Sequence, residues 1–231
     1  MSDFFRFPHT PHLVWLGQGE PRDDKVMTEP EAIAFLGGEI EVEEKVDGAN
    51  LGISVEPEGE IRLQNRGQYL ERPYAGQFAG LNRWLAARED MLFDALGEGC
   101  ILFGEWCEAR HSLEYDRLTD WLLIFDVYEN AAKHFWSVGR RDVLAGKLGL
   151  AVVPLIGAGR FTLAALTALV RSEQSRFRDG PLEGLYLRRD EGNALASRGK
   201  IIRPEFAQSI GEHWSRRKIE RNRVLMKASQ A

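Results

Sequence analysis

The spacing of apolar and polar residues divides the chain into short strands and short helices. Apolar and polar residues alternate from 40 to 63, with turn residues at 47–48 and 56–59, which predicts a three-stranded antiparallel meander. Further strands are predicted at 100–106, 121–128, 182–188 and 193–202, and helices at 31–36, within 78–96, at 137–147 and at 162–170. A long, basic, amphipathic helix is predicted over 206–227.

The order of these elements is typical of an α+β protein. The strands are antiparallel wherever their pairing can be judged, with helices set between them, which argues against a doubly wound parallel sheet. The 231 residues contain no internal repeat, low-complexity tract or interdomain linker, so we expect a single domain over 1–231. Residues 1–38, rich in aromatic residues and proline, are expected to form a preamble to this domain.

Composition and charge narrow the class of protein. With 44% hydrophobic and 28% charged residues the chain is not expected to be disordered, and no apolar run is long enough to span a bilayer. The N-terminus lacks the pattern of a secretion signal, and the two cysteines make neither a disulfide framework nor a zinc pattern, so we expect a cytoplasmic protein with no membrane partner. From 198 onward nine Lys/Arg face three Asp/Glu; this basic segment could meet a polyanion or be a solvated helix face.

The stretch 44–50, Glu-Lys-Val-Asp-Gly-Ala-Asn, lies between two predicted strands. Because strand side chains alternate, Lys45 and Asp47 are expected to share one face, with Glu44 on the other. Gly48 would allow a turn or the close approach of a ligand. An amine and a carboxylate in this arrangement suit covalent catalysis, or else an exposed charge pair before a hairpin.

Five predicted strand segments carry a charged residue at an end or in the middle, often beside glycine. Together they supply three acids and four bases: Asp47, Glu105, Glu183, Lys45, Arg66, Arg198 and Lys200. Such a set suits a triphosphate with Mg²⁺, because acids and waters hold the ion while bases hold the phosphates. An ordinary surface ion network would have the same composition.

The order of the motifs along the chain decides between these possibilities. Lys-x-Asp-Gly, an Arg-Gly strand end, Phe-Gly-Glu, Phe-Asp-Val, Glu-Gly-x-x-x-Arg and a final Arg-x-Lys follow one another, and this series resembles the covalent nucleotidyltransferases, which include RNA ligases, DNA ligases and capping enzymes. Within them, Glu44 to Asn50 with Phe103-Gly104-Glu105 is most similar to the ATP-dependent RNA ligases of the phage T4 RNA ligase 2 type. The resemblance covers about 39–206.

The resemblance implies an adenylyltransferase fold with antiparallel sheets around an ATP cleft and flanking helices. Lys45 would attack the α-phosphate of ATP and carry AMP as a phosphoramidate to an RNA 5′-phosphate, which a 3′-hydroxyl would then join. Asp47, Glu105 and Glu183 would organise Mg²⁺ (or Mn²⁺), and Phe125 would stack on adenine.

Further nucleotide contacts follow from the same resemblance. Phosphate groups would be addressed by Asn50, Arg66, Arg198 and Lys200, with Lys200 also in a catalytic role. Glu105 would also contact the ribose, and Glu44 belongs to the motif without an assigned role. The family's last motif usually reads Lys-x-Lys, whereas here it is Arg198-Gly199-Lys200, and Arg188 stands where a lysine often follows the Glu-Gly motif.

Other functions remain open from the sequence. A DNA ligase would usually add an OB-fold, and the roughly 25 residues after 206 are too few to form one. A capping enzyme would use GTP. A partner-dependent RNA-binding module is the third alternative, and a partner protein could replace the missing C-terminal domain. Of the remaining residues, His111 and His134 are expected to be surface or loop histidines, and Cys107 is expected to be a packing residue. His213-Trp214 could stack on a base or anchor the core.

Overall fold

The computed structural model describes residues 4–21, 25–56, 59–97, 99–209 and 219–225. The helices are α1 (Glu29–Leu36), α2 (Leu81–Ala86), α3 (Glu89–Ala95), α4 (Val138–Lys147), α5 (Leu163–Ser172) and α6 (Pro204–Ser209). The strands are β1 (Ile40–Lys45), β2 (Ala49–Val55), β3 (Ile61–Gln64), β4 (Cys100–Trp106), β5 (Leu122–Glu129), β6 (His134–Phe135), β7 (Ala151–Val152), β8 (Leu155–Gly159), β9 (Gly184–Glu191) and β10 (Ala194–Ile202).

The strands form two sheets, and the predicted α+β class is confirmed. The first sheet is antiparallel in the order β10-β9-β1-β8, and the second has the order β3-β2-β4-β5-β6, with β7 parallel to β5 at its side. The predicted meander is therefore wrong in its first strand, because β1 and β2 belong to different sheets. Alternation shows that a segment is a strand with one buried face, but it does not show which strand it pairs with.

Local sequence signals account for three of the helices. Thr28, Ser137 and Thr162 are the N-cap residues of α1, α4 and α5, and each side-chain oxygen accepts a backbone N–H of the first turn. These helices and the predicted helical region before β4 are confirmed. None of the helices in the described part of the chain is both long and apolar enough to cross a bilayer.

Each sheet packs its own helices. The first sheet shares a core with α1 and α5, where Phe35 and Leu166 cover Val42. The second sheet shares a core with α2, α3 and α4, where Trp84, Leu92 and Leu144 are buried. Two smaller buried clusters, around Val46 and around Phe7, lie beside the cleft where the sheets meet.

Buried ion pairs join the two sheets beside this cleft. Arg188 on β9 contacts Asp126 on β5 at 2.5 Å, and Arg141 on α4 contacts Glu43 on β1 at 2.7 Å. The four side chains are 1% exposed or less. Because a buried charge without its partner is costly, these pairs fix how the sheets meet.

The N-terminal segment is packed into the fold. Phe7 is 2% exposed and lies edge-on against Phe103 and Phe135. Leu13 N donates a hydrogen bond to Lys200 O at 2.9 Å, which fastens the segment to β10. The expected preamble thus supplies part of the core and, through Phe7, part of the cleft wall.

The long C-terminal helix predicted over 206–227 is wrong. The helix α6 covers Pro204–Ser209, whereas 219–225 is extended and pairs with residues of the segment 107–118. Tertiary hydrogen bonds override the helical spacing here. His213-Trp214 and the basic residues 216–218, which were singled out from the sequence, lie outside the described residues.

Candidate active site

A cavity of about 510 Å³ lies between the two sheets. Eight predicted site residues contribute to its lining: Glu44, Lys45, Asp47, Asn50, Arg66, Glu105, Phe125 and Lys200. They come from both sheets, from the link 46–48 that crosses between them and, for Arg66, from the turn after β3. Residues far apart in sequence are therefore brought to one place, which is of a size common for small-molecule sites.

Lys45 is the last residue of β1, and its Nζ donates hydrogen bonds to both carboxylate oxygens of Glu183, at 2.9 and 2.8 Å. Glu183 immediately precedes β9, and Lys45 lies opposite Gly184 in the β1–β9 pairing. The lysine side chain is 26% exposed. Burial alone would lower the pKa of Lys45, but the negative charges of Glu183, Glu105 and Asp47 outweigh it and raise that pKa above its usual value.

Asp47 lies in the crossing link rather than on a strand. Its Oδ2 accepts backbone hydrogen bonds from Ser112 at 2.6 Å and Leu113 at 3.1 Å, and its own N–H donates to the hydroxyl of Tyr115 at 2.9 Å. The expected strand face shared with Lys45 therefore does not exist, since β1 ends at Lys45. Both residues nevertheless face the same cavity.

Glu105 on β4 lies on the other side of the crossing link. Its Oε1 accepts the backbone N–H of Gly48 at 3.0 Å. A Cβ atom at Gly48 would stand 2.6 Å from the carbonyl oxygen of Trp106, so only glycine lets the link pass this close. Burial raises the pKa of Glu105 to about 7.

The three acids surround Lys45, but each already has a protein partner. Burial also raises the pKa of Glu183, against the opposing effect of Lys45. Among the described residues, no three acid, histidine or cysteine side chains converge as a complete set of metal ligands. A small cation here would need water or phosphate oxygens as further ligands, which is the usual coordination of Mg²⁺.

The cavity also offers polar groups for phosphates and aromatic walls for a base. Asn50 on β2 has a buried Oδ1 without a hydrogen-bond partner among the described residues, so a donor from a bound molecule would satisfy it. Arg66 is exposed, and Lys200 projects from β10. Phe7 and Phe125, edge-on at 5.3 Å, supply apolar surface.

Glu44, Glu183 and Arg198, expected to contact the nucleotide or, for Glu183, the metal ion, are engaged by other side chains or backbone groups of the protein. The carboxylate of Glu44 is held by Ser175 Oγ at 2.5 Å and the backbone N–H of Arg176 at 2.9 Å. Glu183 does not contribute to the cavity lining, but it is hydrogen-bonded to Lys45, which does. The carboxylates of Glu44 and Glu183 therefore already have hydrogen-bond partners within the protein.

Arg198 donates to Asp126 at 2.8 Å and stacks on Phe135, with its guanidinium carbon 3.9 Å from the ring centre. It lies outside the cavity lining. The charge of the Arg-x-Lys motif is thus divided, with Lys200 in the cavity and Arg198 in a buried ion pair with Asp126.

Several residues of the site were not predicted from the sequence. His111 is in a loop, as expected, but it lines the cavity: its Nδ1 is 3.9 Å from Asp47 Oδ1, and its Nε2 is 2.8 Å from Gln77 Oε1. Burial lowers its pKa. Tyr115, which holds the backbone of Asp47, was also missed. No motif or periodicity marks such residues, because their role depends on a loop that returns to the cavity.

Cys107 is fully buried beside Val46 and Tyr115, so the expected packing role is confirmed. Its Sγ would lie 3.1 Å from a Cβ at Gly48, so it also limits the space around the crossing link.

Comparison with known proteins places the chain in context. A family model described as RNA ligase matches residues 38–203. The chain is similar to Naegleria gruberi RNA ligase solved with pyrophosphate, with a TM-score of 0.64 and 19% identity over 89% of this chain and 64% of that one. For a lysine-to-alanine variant of the same enzyme, solved with ATP and Mn, the TM-score is 0.62 and the identity 18%, over 87% and 63% of the two chains.

A third similar structure is a glutamate-to-alanine variant of the Naegleria gruberi enzyme solved with AMP and Mn, with a TM-score of 0.61 and 16% identity over 89% of this chain and 64% of that one. The chain therefore spans less than two thirds of the length of these structures. No curated protein matches it in sequence. At these identities the solved structures establish the fold alone. The family assignment rests on the family model that matches residues 38–203.

Proposed function

The chain belongs to the RNA ligase family, and we propose that it is an ATP-dependent RNA ligase that works through a covalent lysyl-AMP intermediate on Lys45. The observation that carries this proposal is the position of the Lys45 amine: it lies in a cavity between two sheets, among three carboxylates, with basic and aromatic side chains around it. The solved relatives that bind ATP or AMP with Mn support the same choice of nucleotide and cation.

In the proposed first step the neutral amine of Lys45 attacks the α-phosphorus of ATP. A P–N bond forms, the bond from that phosphorus to the bridging oxygen breaks, and pyrophosphate leaves. Nζ gives up one proton before the attack and a second afterwards, and Glu183, already hydrogen-bonded to Nζ at 2.8 Å, is positioned to accept the first. The resting ion pair keeps the amine protonated, so this proton loss requires positive charge that offsets the carboxylates around Lys45.

The donor set of the cavity fits a hydrated Mg²⁺ or Mn²⁺, because Asp47 and Glu105 supply carboxylate oxygens and leave room for water and phosphate ligands. Such an ion would supply positive charge that neutralises the phosphates and offsets the acids around Lys45. The protein's own part is to hold Asp47 through Ser112 and Leu113, and Glu105 through Gly48.

The nucleotide would lie across the cavity. We assign the base to the apolar wall formed by Phe7 and Phe125 and the phosphates to Arg66 and Lys200. The buried Oδ1 of Asn50 can only accept a hydrogen bond, so it is assigned to a hydroxyl or amino donor of the nucleotide. Catalysis would then consist mainly of positioning and charge neutralisation, as is general for transfer at phosphorus. The two later steps would move AMP to an RNA 5′-phosphate and then release it as a 3′-hydroxyl joins the strands.

The proposal is tested by strand sealing. The protein, Mg²⁺ and ATP are incubated with 5′-labelled RNA as a nicked duplex, a hairpin or a single strand, and with matched DNA. Conversion of RNA first to an adenylylated strand and then to a joined product supports the proposal. Joining of DNA alone indicates a DNA ligase, and labelling by GTP alone indicates a guanylyltransferase. An adduct on Lys45 with no joining indicates that a partner protein is needed for the later steps.

A further inference from the structure

Residues 219–225, which we call the C-terminal strap, lie along the segment 107–118, which we call the Asp47 loop. Backbone hydrogen bonds connect the two along their length: Arg110 N to Glu220 O at 2.9 Å, Asn222 N to Glu108 O at 3.0 Å, Arg223 N to Tyr115 O at 2.8 Å and Leu225 N to Leu118 O at 2.9 Å. The strap belongs to neither sheet. Its backbone hydrogen bonds to other described residues are made with this loop.

The side chain of Asn222 is the central contact between the strap and the loop. The residue is 3% exposed. Its Oδ1 accepts the backbone N–H of Tyr115 at 2.8 Å, and its Nδ2 donates to the carbonyl oxygens of Cys107 at 2.8 Å and Ala109 at 3.4 Å. One amide thus satisfies backbone groups at both sides of the loop, which a side chain without an acceptor and donors could not do.

The loop in turn holds Asp47. Its amides at Ser112 and Leu113 donate to the Asp47 carboxylate, and the hydroxyl of Tyr115 accepts the Asp47 N–H. Tyr115 is fully buried, so its hydroxyl has a fixed position. A continuous series of hydrogen bonds therefore leads from Asn222 through Tyr115 to the residue two positions after Lys45.

We propose that Asn222 is a positioning residue for the reaction at Lys45: the C-terminal strap holds the Asp47 loop, and the loop holds the Asp47 carboxylate in the cavity. This inference rests on the proposed function, since adduct formation at Lys45 is one of its readouts. It gives residues 219–225 a role inside the protein, where the sequence predicted a basic helix that could meet a polyanion or be a solvated face.

Two readouts separate positioning from a general contribution to stability. Loss of the Asn222 amide should release the loop, so the amides of Ser112 and Leu113 should exchange hydrogen faster in the protein without nucleotide. Asp47 acts where the phosphates react, so the rate of adduct formation at saturating ATP should fall while half-saturation by ATP changes little. A residue that only adds stability would change neither the exchange rates at 112–113 nor the rate of adduct formation in the folded protein.

The test compares Asn222→Ala with two controls. Arg221→Ala alters the same strap, but its side chain is 62% exposed and reaches Glu108 only at 3.5 Å. Leu166→Ala removes a fully buried side chain from the core of the first sheet, away from the loop. We expect Asn222→Ala to slow adduct formation at least tenfold, with less than a threefold change in ATP half-saturation and with faster exchange at 112–113. Both controls should keep the wild-type values.

The proposal is overturned if Asn222→Ala forms the adduct at the wild-type rate, or is slowed no more than Leu166→Ala. Should Asn222→Ala not fold, Tyr115→Phe keeps the ring and removes only the oxygen that accepts the Asp47 N–H. It should slow adduct formation to a similar degree and speed exchange of the Asp47 amide, and a wild-type rate would also overturn the proposal. If the wild-type protein forms no adduct with either nucleotide, the proposed function fails, whereas the exchange rates at 112–113 still decide whether Asn222 orders the loop.

Discussion

Lys45 and Glu183 are 138 positions apart in the chain, yet the lysine Nζ lies 2.8 Å from Glu183 Oε2. The pair joins the end of β1 to the start of β9 in the first sheet. It keeps the candidate nucleophile inside the cavity and also keeps it protonated, because the carboxylates favour the ammonium form. The amine is therefore held in its charged form, and the proposed attack requires a change in the charges around it.

Glu183→Gln should make Lys45 more reactive toward an amine-modifying reagent in the absence of nucleotide. Removing the nearest negative charge lowers the pKa of Lys45, and each unit of that decrease raises the neutral fraction about tenfold. Peptide mass spectrometry after brief acetylation measures the effect, with exposed Lys147 in the same molecule as the reference. An unchanged ratio of Lys45 to Lys147 modification would show that Glu183 does not control the charge on the amine.

Asn50→Ala should weaken ATP use without weakening the fold. The buried Oδ1 of Asn50 has no partner within the described ranges, so its removal costs no existing hydrogen bond. Loss of a hydrogen bond to bound nucleotide should cost about 1 to 1.5 kcal/mol, or roughly a tenfold higher ATP concentration for half-maximal adduct formation. Thermal melting and adduct formation over a range of ATP concentrations measure the two effects.

Asn65→Ala provides a contrast to the Asn50 variant. The Oδ1 of Asn65 accepts the N–H groups of Gly67 and Gln68 at 2.8 and 2.9 Å, so its removal should lower the melting temperature. A loss of stability in Asn50→Ala equal to that in Asn65→Ala, with unchanged ATP dependence, would contradict the assignment of Asn50 to the nucleotide.

Arg188→Ala should destabilise the protein strongly. The Arg188 guanidinium is fully buried and contacts Asp126 as well as the carbonyl oxygens of Phe125 and Trp136. Its loss leaves Asp126 paired with Arg198 but removes a donor to two backbone carbonyl oxygens as well as one buried ion pair, which together should cost about 3 kcal/mol in the free energy of unfolding. Arg189→Ala is the matched control, because the neighbouring side chain is 29% exposed and should cost about 1 kcal/mol or less. Chemical denaturation measures both, and equal losses would refute the structural role of the Arg188 pair.

The sequence predicted those features that depend on local chemistry. Thr28, Ser137 and Thr162 cap three of the predicted helices, and an N-cap depends only on the residues that follow it. Strands β4, β5, β9 and β10 were also predicted, β5 from a short continuous apolar run that is typical of a buried strand. The order of the charged motifs led to the family that the comparison then showed.

The sequence did not predict features that depend on long-range contacts. The pairing of β1 with β8 and β9, rather than with β2, is decided by packing between distant segments. Asn222 and Tyr115 have ordinary surroundings in sequence, and only the folded chain shows that they meet. Arg198 reads as a phosphate ligand by its motif, but its ion pair with Asp126 is visible only in three dimensions.

Covalent transfer of AMP to Lys45 tests the account most directly. The wild-type protein, Lys45→Ala and Lys45→Arg are incubated with Mg²⁺ and ATP labelled at the α-phosphate, with EDTA and α-labelled GTP as controls, and the modified peptide is mapped. We predict a label from ATP on Lys45 that requires the divalent cation, reverses with added pyrophosphate and is absent from both variants. A folded wild-type protein that takes no label from ATP, or a label that persists in Lys45→Ala, would contradict the account.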